Sequence, residues 1–374
     1  MWSCVSALRC CCICCCGQGI KGGLQVIKSR TIYLLTALVC GLVIAGHCFA
    51  QTPGTWEYYR HHFVSEDGRV IDFFQKKTSH SEGQGYGMLL AVAHKDRASF
   101  NRIYKWTREN LMVRADPLSA WQWGMRINGQ WDILDYNNAT DGDLLIAWAL
   151  LEAAQLWSEP NLADHALSII AAIKNDLVIK KYGRMILLPG YFGFSSPEAV
   201  ILNPSYFVYP AFEKFAQTDN PEFWRTLAGQ SFELTFAHCL TPLELPCDWI
   251  SMDETGVKIN KKRSKNFGYE AIRIPLYMAM SDDHKNGLAR FSKYLSFYKT
   301  TQLLPNVVDL VDSQISMFMA PAGFYAIFAR CCQIVGEKDL GSRLMETAKE
   351  KILTEKDDYY SNTLYLLAHS VRLP

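Results

Sequence analysis

The chain has 374 residues, 49% of them hydrophobic, with 38 basic and 37 acidic side chains. That balance offers no basic face for a nucleic-acid partner. Nine of the thirteen cysteines fall in the first fifty residues, so the rest is no disulfide framework, and no CxxC pair or histidine cluster there has metal-site spacing.

Residues 1–50 read as a segment apart. Lys28 and Arg30 precede an apolar run from Ile32 to Ala45, and Cys48-Phe49-Ala50 ends on a small residue. This is the order of a secretory signal peptide, which predicts a periplasmic or secreted protein. The run is shorter than the ~20 residues of a membrane span, which leaves an uncleaved anchor as the alternative. The cysteines from Cys10 to Cys16 are read as lying upstream of a true start near Val26, with a metal-binding tract as the other reading. Beyond residue 50 the chain carries 34 basic and 37 acidic side chains, and Cys239 and Cys247 are near enough in sequence to pair in an oxidising compartment.

From residue 51 onward the pattern is helical. Apolar residues recur at helical spacing near 56–63, 85–94, 97–110, 143–157, 161–175, 205–216, 222–237, 267–281, 285–299, 315–333, 337–352 and 357–370, about twelve helices. Leu144 to Leu151 is apolar all round and must be buried on every side, which puts Trp148 and Trp157 of that helix in the core. The helix at 97–110 is amphipathic. Alternation of the two kinds predicts an all-α single domain over 51–374, an inner ring of helices wrapped by an outer one, with an irregular array as the alternative. The absence of a fixed sequence period argues against a solenoid.

The long connections keep aromatics beside acids, which marks them as functional. Residues 112–140 hold Trp121, Trp123, Trp131 and Tyr136 among Asp116, Asp132 and Asp135. Residues 182–206 hold Tyr191, Phe192, Phe194 and Tyr206, and residues 239–266 hold Trp249, Asp248 and Asp253.

Ser81-Glu82-Gly83-Gln84-Gly85-Tyr86-Gly87-Met88 opens a buried helix. Ser81 and Gln84 have capping-box spacing, and the glycines suit a ligand approaching the backbone. Thr140-Asp141-Gly142-Asp143 repeats the arrangement, so two inner helices offer Glu82 and Asp141 at their starts. Glu270 and Arg273 lie one helical turn apart beside Tyr269. Paired carboxylates among aromatics point to sugars: pyranose faces stack on rings, and glycosidic cleavage needs a protonated acid and a second carboxylate. A helix N-terminus favours the charged form of Glu82, so burial or the charge of Asp141 must hold its proton. The plainer alternative makes Asp141 and Asp143 cap acids and Glu270–Arg273 an ion pair.

The stretch 81–88 resembles the acid-bearing segment of glycoside hydrolase family eight. Ala139 to Trp157 resembles that family's signature along its length, and Asn203-Pro204-Ser205-Tyr206 and Tyr269-Glu270-Ala271-Ile272-Arg273 resemble two later motifs in the right order. The match spans roughly residues 55–300 and is nearest to the periplasmic endoglucanases that accompany bacterial cellulose synthases. The resemblance implies an (α/α)6 barrel and an inverting endo-β-1,4-glucanase that needs no cofactor or metal. It implies a monomer acting on a β-1,4-glucan chain, with a cellulose synthase complex as a further partner. It implies Glu82 as general acid, Asp141 holding the sugar at the cleavage point, and Trp121, Trp123, Tyr206, Tyr269 and Arg273 in the groove. Glu270 falls at the general-base position, where the family's cellulases carry Asp. Its extra methylene alters a carboxyl separation that inversion needs at about 6.5–9.5 Å, so Asp248 and Asp253 are further candidates for the base. A chitosanase or xylanase is the alternative within the family. A non-hydrolytic glucan binder and a polysaccharide lyase are the alternatives outside it.

Overall fold

The computed structural model describes residues 52–239 and 242–369. The signal peptide, the cysteine run and the start near Val26 lie outside the described residues. Twelve α-helices are present among those described: α1 (Trp56–His62), α2 (Ser81–Ala93), α3 (Arg97–Asn110), α4 (Thr140–Trp157), α5 (Pro160–Ala172), α6 (Tyr209–Thr218), α7 (Pro221–Phe236), α8 (Arg273–Met280), α9 (Ser292–Thr301), α10 (Ala322–Ile334), α11 (Lys338–Ile352) and α12 (Tyr359–His369).

The even-numbered helices close a ring. α2 packs on α4, α4 on α6, α6 on α8, α8 on α10, α10 on α12, and α12 returns to α2. Outside this ring α3, α5, α7 and α11 each pack against a neighbour in sequence, α1 packs against α12, and α9 packs on the 3-10 segment 285–291 that itself packs on α8. Burial follows the sequence pattern. Every residue of α4 from Thr140 to Ala153 is buried, whereas α11 buries Leu340, Leu344, Met345, Ala348 and Ile352 along one stripe. This is the expected (α/α)6 barrel. Trp148 is buried, with its indole N–H donated to Glu152 at 3.0 Å, and Trp157 packs edge-on against Phe100.

The two ends of the barrel differ. Passages from an inner helix to the next outer one are short, only residues 94–96, 158–159, 219–220 and 335–337 in four cases. Passages from an outer helix to the next inner one are long except for residues 353–358 before α12, and all ten short strands lie in the long ones. They form the sheets β1-β2-β3 (Ser79–His80, Gln122–Met125, Trp131–Asp135), β4-β5 (Val178–Lys181, Arg184–Leu187), β6-β7-β8 (Val200–Leu202, Ile250–Asp253, Gly256–Ile259) and β9-β10 (Asn266–Phe267, Val308–Asp309). Long connectors, strands and the N-termini of all six inner helices therefore share one end, where a ligand site is expected.

Four helices begin four or more residues later than periodicity predicts, among them α9, which starts at Ser292 because residues 285–291 form a 3-10 segment. α8 starts at Arg273 rather than 267, because residues 266–272 form a strand and a turn pinned by the Asp248 carboxylate, which accepts from the Gly268 and Ala271 amides at 3.1 and 2.8 Å. α10 starts at Ala322 after a hairpin that pairs Pro305 with Met319 and Val308 with Ile315. α6 starts at Tyr209, after a 3-10 turn at Pro204–Tyr206. Cys239 and Cys247 are not paired; their thiols face the carbonyls of Thr235 and Ser264.

Candidate active site

Neither expected capping box forms. Ser81 and Thr140 already have helical backbone, and the extended residues before them are His80 and Ala139. Gln84 turns away from Ser81, accepting from the Val70 amide at 2.6 Å and donating to Thr107 Oγ1 at 2.9 Å. Thr140 Oγ donates to the Leu188 carbonyl at 2.6 Å. The reason is close packing of the two helix starts. A Cβ on Gly142 would collide with Ser81 Oγ and stand 2.7 Å from the Glu82 amide nitrogen, and one on Gly85 would stand 2.6 Å from Leu145 Cβ. The glycines thus admit the neighbouring inner helix, not a ligand, and that contact sets Glu82 beside Asp141.

Arg273 is the centre of the site. It starts α8 with only 4% of its side chain exposed. Its Nη1 contacts the Glu82 carboxylate and lies 3.6 Å from Asp141 Oδ2. Its Nη2 donates to Glu270 Oε2 and to Ser205 Oγ, both at 2.6 Å. Asn203 Nδ2 donates to the same Glu270 oxygen at 2.8 Å, while its Oδ1 accepts from the Ser205 amide and hydroxyl. One guanidinium thus gathers three carboxylates, one of them 191 residues away from it in sequence. Burial works against its charge, but Glu82 and the other acids outweigh that and hold it protonated. Asp141 is driven well above the usual carboxylate range by burial and then by the charge of Glu82, with Arg273 opposing.

Other expected residues spread outward from this centre. The Tyr206 ring lies 5.6 Å from the Arg273 guanidinium carbon and tilts against Trp249, which is stacked on Phe194. Tyr269 is 45% exposed, and its backbone carbonyl accepts from the Tyr360 hydroxyl at 2.7 Å. Trp121 stacks on His80, two residues before Glu82, at 5.9 Å and 12°. Trp123, in β2 just past a register shift at Gln122, meets Trp106 of α3 edge-on and stacks on Trp131; the structure does not bring it to Arg273. Asp248 holds the turn that carries Glu270, with Ser264 as a further donor at 2.8 Å, and burial pushes it up to about 6. Asp253 is a hairpin acid bound to Thr255 and Lys258.

Sequence reasoning gave no role to Asn203, Ser205, His80 or Tyr360. The Asn-Pro-Ser run is a turn signal beside Tyr206 that could have singled out the first two, and His80 directly precedes the acid-bearing helix. Tyr360 sits in the last helix with no local signal. Burial depresses the His80 imidazole, against the charges of Glu82 and Asp72, which leaves a neutral ring beside the acid.

Asp143 ties the walls of the site together. Its carboxylate accepts from the Ser119 amide at 2.8 Å and from Asn138 Nδ2 at 2.9 Å, and Asn138 Oδ1 accepts from the Tyr191 amide at 2.7 Å. Both aromatic connections, 112–140 and 182–206, are thereby fixed to the start of α4. Asp143→Asn turns one acceptor into a donor facing the Asn138 amide. The expected cost is about 1–3 kcal/mol, read as the urea midpoint. Adding Asn138→Asp restores all three bonds, with only the one between the two side chains reversed, and should recover most of the loss. Burial lifts Asp143 from 3.8 to about 7. Because the folded value lies above the unfolded one, the parent loses stability as pH rises through that range, and Asp143→Asn should lessen the slope.

Known proteins resemble this chain closely. The family model for glycosyl hydrolases family 8 matches residues 27–373. A probable endoglucanase of Novacetimonas hansenii is 35% identical over 322 residues, covering 85% of this chain and 90% of its own. An endoglucanase of Cellulomonas uda is 34% identical over 299 residues, covering 78% and 82%. The crystal structure of endoglucanase Cel10 from Klebsiella pneumoniae superposes with a TM-score of 0.73 at 32% identity, covering 84% and 96%.

Proposed function

The chain belongs to glycosyl hydrolases family 8, and from that premise we propose that it is an inverting endo-β-1,4-glucanase acting on cellulose-like glucan. The observation that carries this is Arg273, which holds Glu82 on one nitrogen and Glu270 on the other, beside buried Asp141, at the aromatic-lined end of the barrel.

Glu82 is the general acid and passes its proton to the glycosidic oxygen as the bond to the anomeric carbon breaks. Glu270 is the general base and takes a proton from the water that attacks the opposite face of that carbon. The products are a new 4-hydroxyl and a reducing end of inverted configuration. Glu270 suits the role because Asn203 and Arg273 fix one oxygen, while the side chain, 38% exposed, stays open to water. Asp141 shares Arg273 Nη1 with Glu82, which sets it next to the acid that must deliver a proton. When the sugar arrives, Asp141 accepts or donates to a hydroxyl at the cleavage point. Tyr206, Tyr269 and Trp121 are the stacking surfaces, and Trp123 braces the hairpin behind Trp121. The chain works as a monomer in the periplasm or outside the cell and serves cellulose assembly, a reading supported by the sequence resemblance.

The test follows viscosity and reducing ends together on carboxymethylcellulose, with proton NMR of the first-formed anomer. Viscosity should collapse before many ends appear, and the α anomer should come first. An inert parent, or a β anomer, rejects the proposal. In the same assay Glu270→Ala should lose about 10²-fold or more, whereas Glu270→Asp, which keeps the carboxylate one methylene shorter, should stay within about tenfold of the parent. Equal loss in the two variants would remove Glu270 as base.

A further inference from the structure

The sheet β1-β2-β3 has two faces with different surroundings. On one, Ile133 is buried with Trp106, Leu111 and Ala120, and Trp123 packs beside them. The other lines an open groove of about 640 Å³ with Thr78, Gln122 and Leu134, closed on its outer side by Phe74, Met125 and Arg126. Thr78 joins this groove to the catalytic end: its hydroxyl is 3.2 Å from His80 Nε2, and His80 pairs with Gln122 in the sheet and stacks on Trp121. Thr78 precedes Glu82 by four residues, which limits their separation to roughly 13 Å even for fully extended chain. The groove therefore begins a few sugar units from the acid.

Phe74 is presented, not merely uncovered. It is 70% exposed on a turn that the protein holds tightly. Asp72 Oδ1 accepts from the Phe74 and Gln75 amides at 3.0 and 3.2 Å, and the Asp72 amide donates to the Thr78 carbonyl at 2.9 Å. Lys76 and Lys77 both sit at positive φ, 56° and 59°, a conformation that costs lysine free energy and that functional loops retain. An exposed ring beside the amides of Gln75 and Gln122 has the makings of a pyranose site: an apolar plate for one sugar face and donors and acceptors for its hydroxyls.

We infer that this groove is a distal subsite for the β-1,4-glucan chain, engaged only by substrates long enough to extend past Trp121 and His80. The inference rests on the glucanase reading and names where its substrate continues. Its ligand is the neutral glucan chain, because Thr78 and Gln122 of the groove meet His80, which stands two residues before Glu82 and stacks on Trp121.

The test measures kcat/KM on cello-oligosaccharides from four to eight units for the parent, Phe74→Ala and Phe74→Trp. It also measures the affinity of the same oligomers for Glu82→Gln with and without Phe74→Ala. For the longest oligomers Phe74→Ala should lower kcat/KM and affinity about three- to tenfold, through KM and not kcat. For cellotetraose it should change neither, and Phe74→Trp should match or exceed the parent. Phe74 is exposed, so folding is not at stake. If the parent cleaves cello-oligosaccharides but Phe74→Ala shows the same chain-length dependence, the distal subsite is rejected and the glucanase reading stands; the groove is then free to serve a protein partner. If the parent cleaves no glucan, the glucanase reading itself fails.

Discussion

Glu82→Gln should lower kcat on cellulose-like glucan by about 10²- to 10⁴-fold, the range that one general acid supplies. The substitution is nearly isosteric, and the amide oxygen can still accept from Arg273 Nη1, so fold and substrate affinity should persist. What disappears is the proton for the departing oxygen. The loss should therefore shrink on an aryl cellobioside whose phenolate leaves without protonation. The limb of the pH profile that falls as the acid ionises should flatten in the variant. An equal loss on both substrates would mean that Glu82 orients the chain and does not donate. Glycan affinity that falls along with kcat would point the same way.

How much of this was legible in the sequence depended on range. Helix periodicity marked all twelve helices, because each buries a stripe or a full surface of its own residues. Glu82 and Asp141 stood out because each acid opens an apolar run. The strands did not show, since pieces of two to five residues carry too little alternation. The glycines were misread for a related reason: Gly85 and Gly142 answer to Leu145 and to Ser81, in another helix, and no local pattern states that. Trp121 and Trp123 look alike in sequence, and a spacing of two would put them on one strand face, yet Trp121 precedes β2 and the register shifts between Gln122 and Trp123, so the first meets His80 and the second Trp106. The links from Asn203 to Glu270 and from Ser205 to Arg273 join residues 67 and 68 apart, and closure of the barrel alone makes them neighbours.

Arg273→Met should damage both stability and catalysis, and pH should separate the two. Arg273 is the cation shared by Glu82, Asp141 and Glu270. Its removal leaves buried acids uncompensated, at a cost of about 3–5 kcal/mol by comparison with other broken buried pairs. The acids can escape part of that by keeping protons, which lifts their folded pKa values above the unfolded ones. Stability held in that form is present at low pH and is lost as pH rises through the folded values. The deficit against the parent should thus be small near pH 4 and large at pH 8, read as the urea midpoint. Arg273→Lys returns the charge but not the fork: a single ammonium cannot serve Glu82, Glu270 and Ser205 Oγ from two fixed nitrogens. It should recover much of the stability at pH 8 and yet keep kcat about 10²-fold below the parent, because the acid and the base are no longer held at a set spacing. A lysine variant with the parent's kcat would show that positive charge suffices there. The alignment of Glu82 with Glu270 would then have to come from Asn203 and from the packing of α2 on α4.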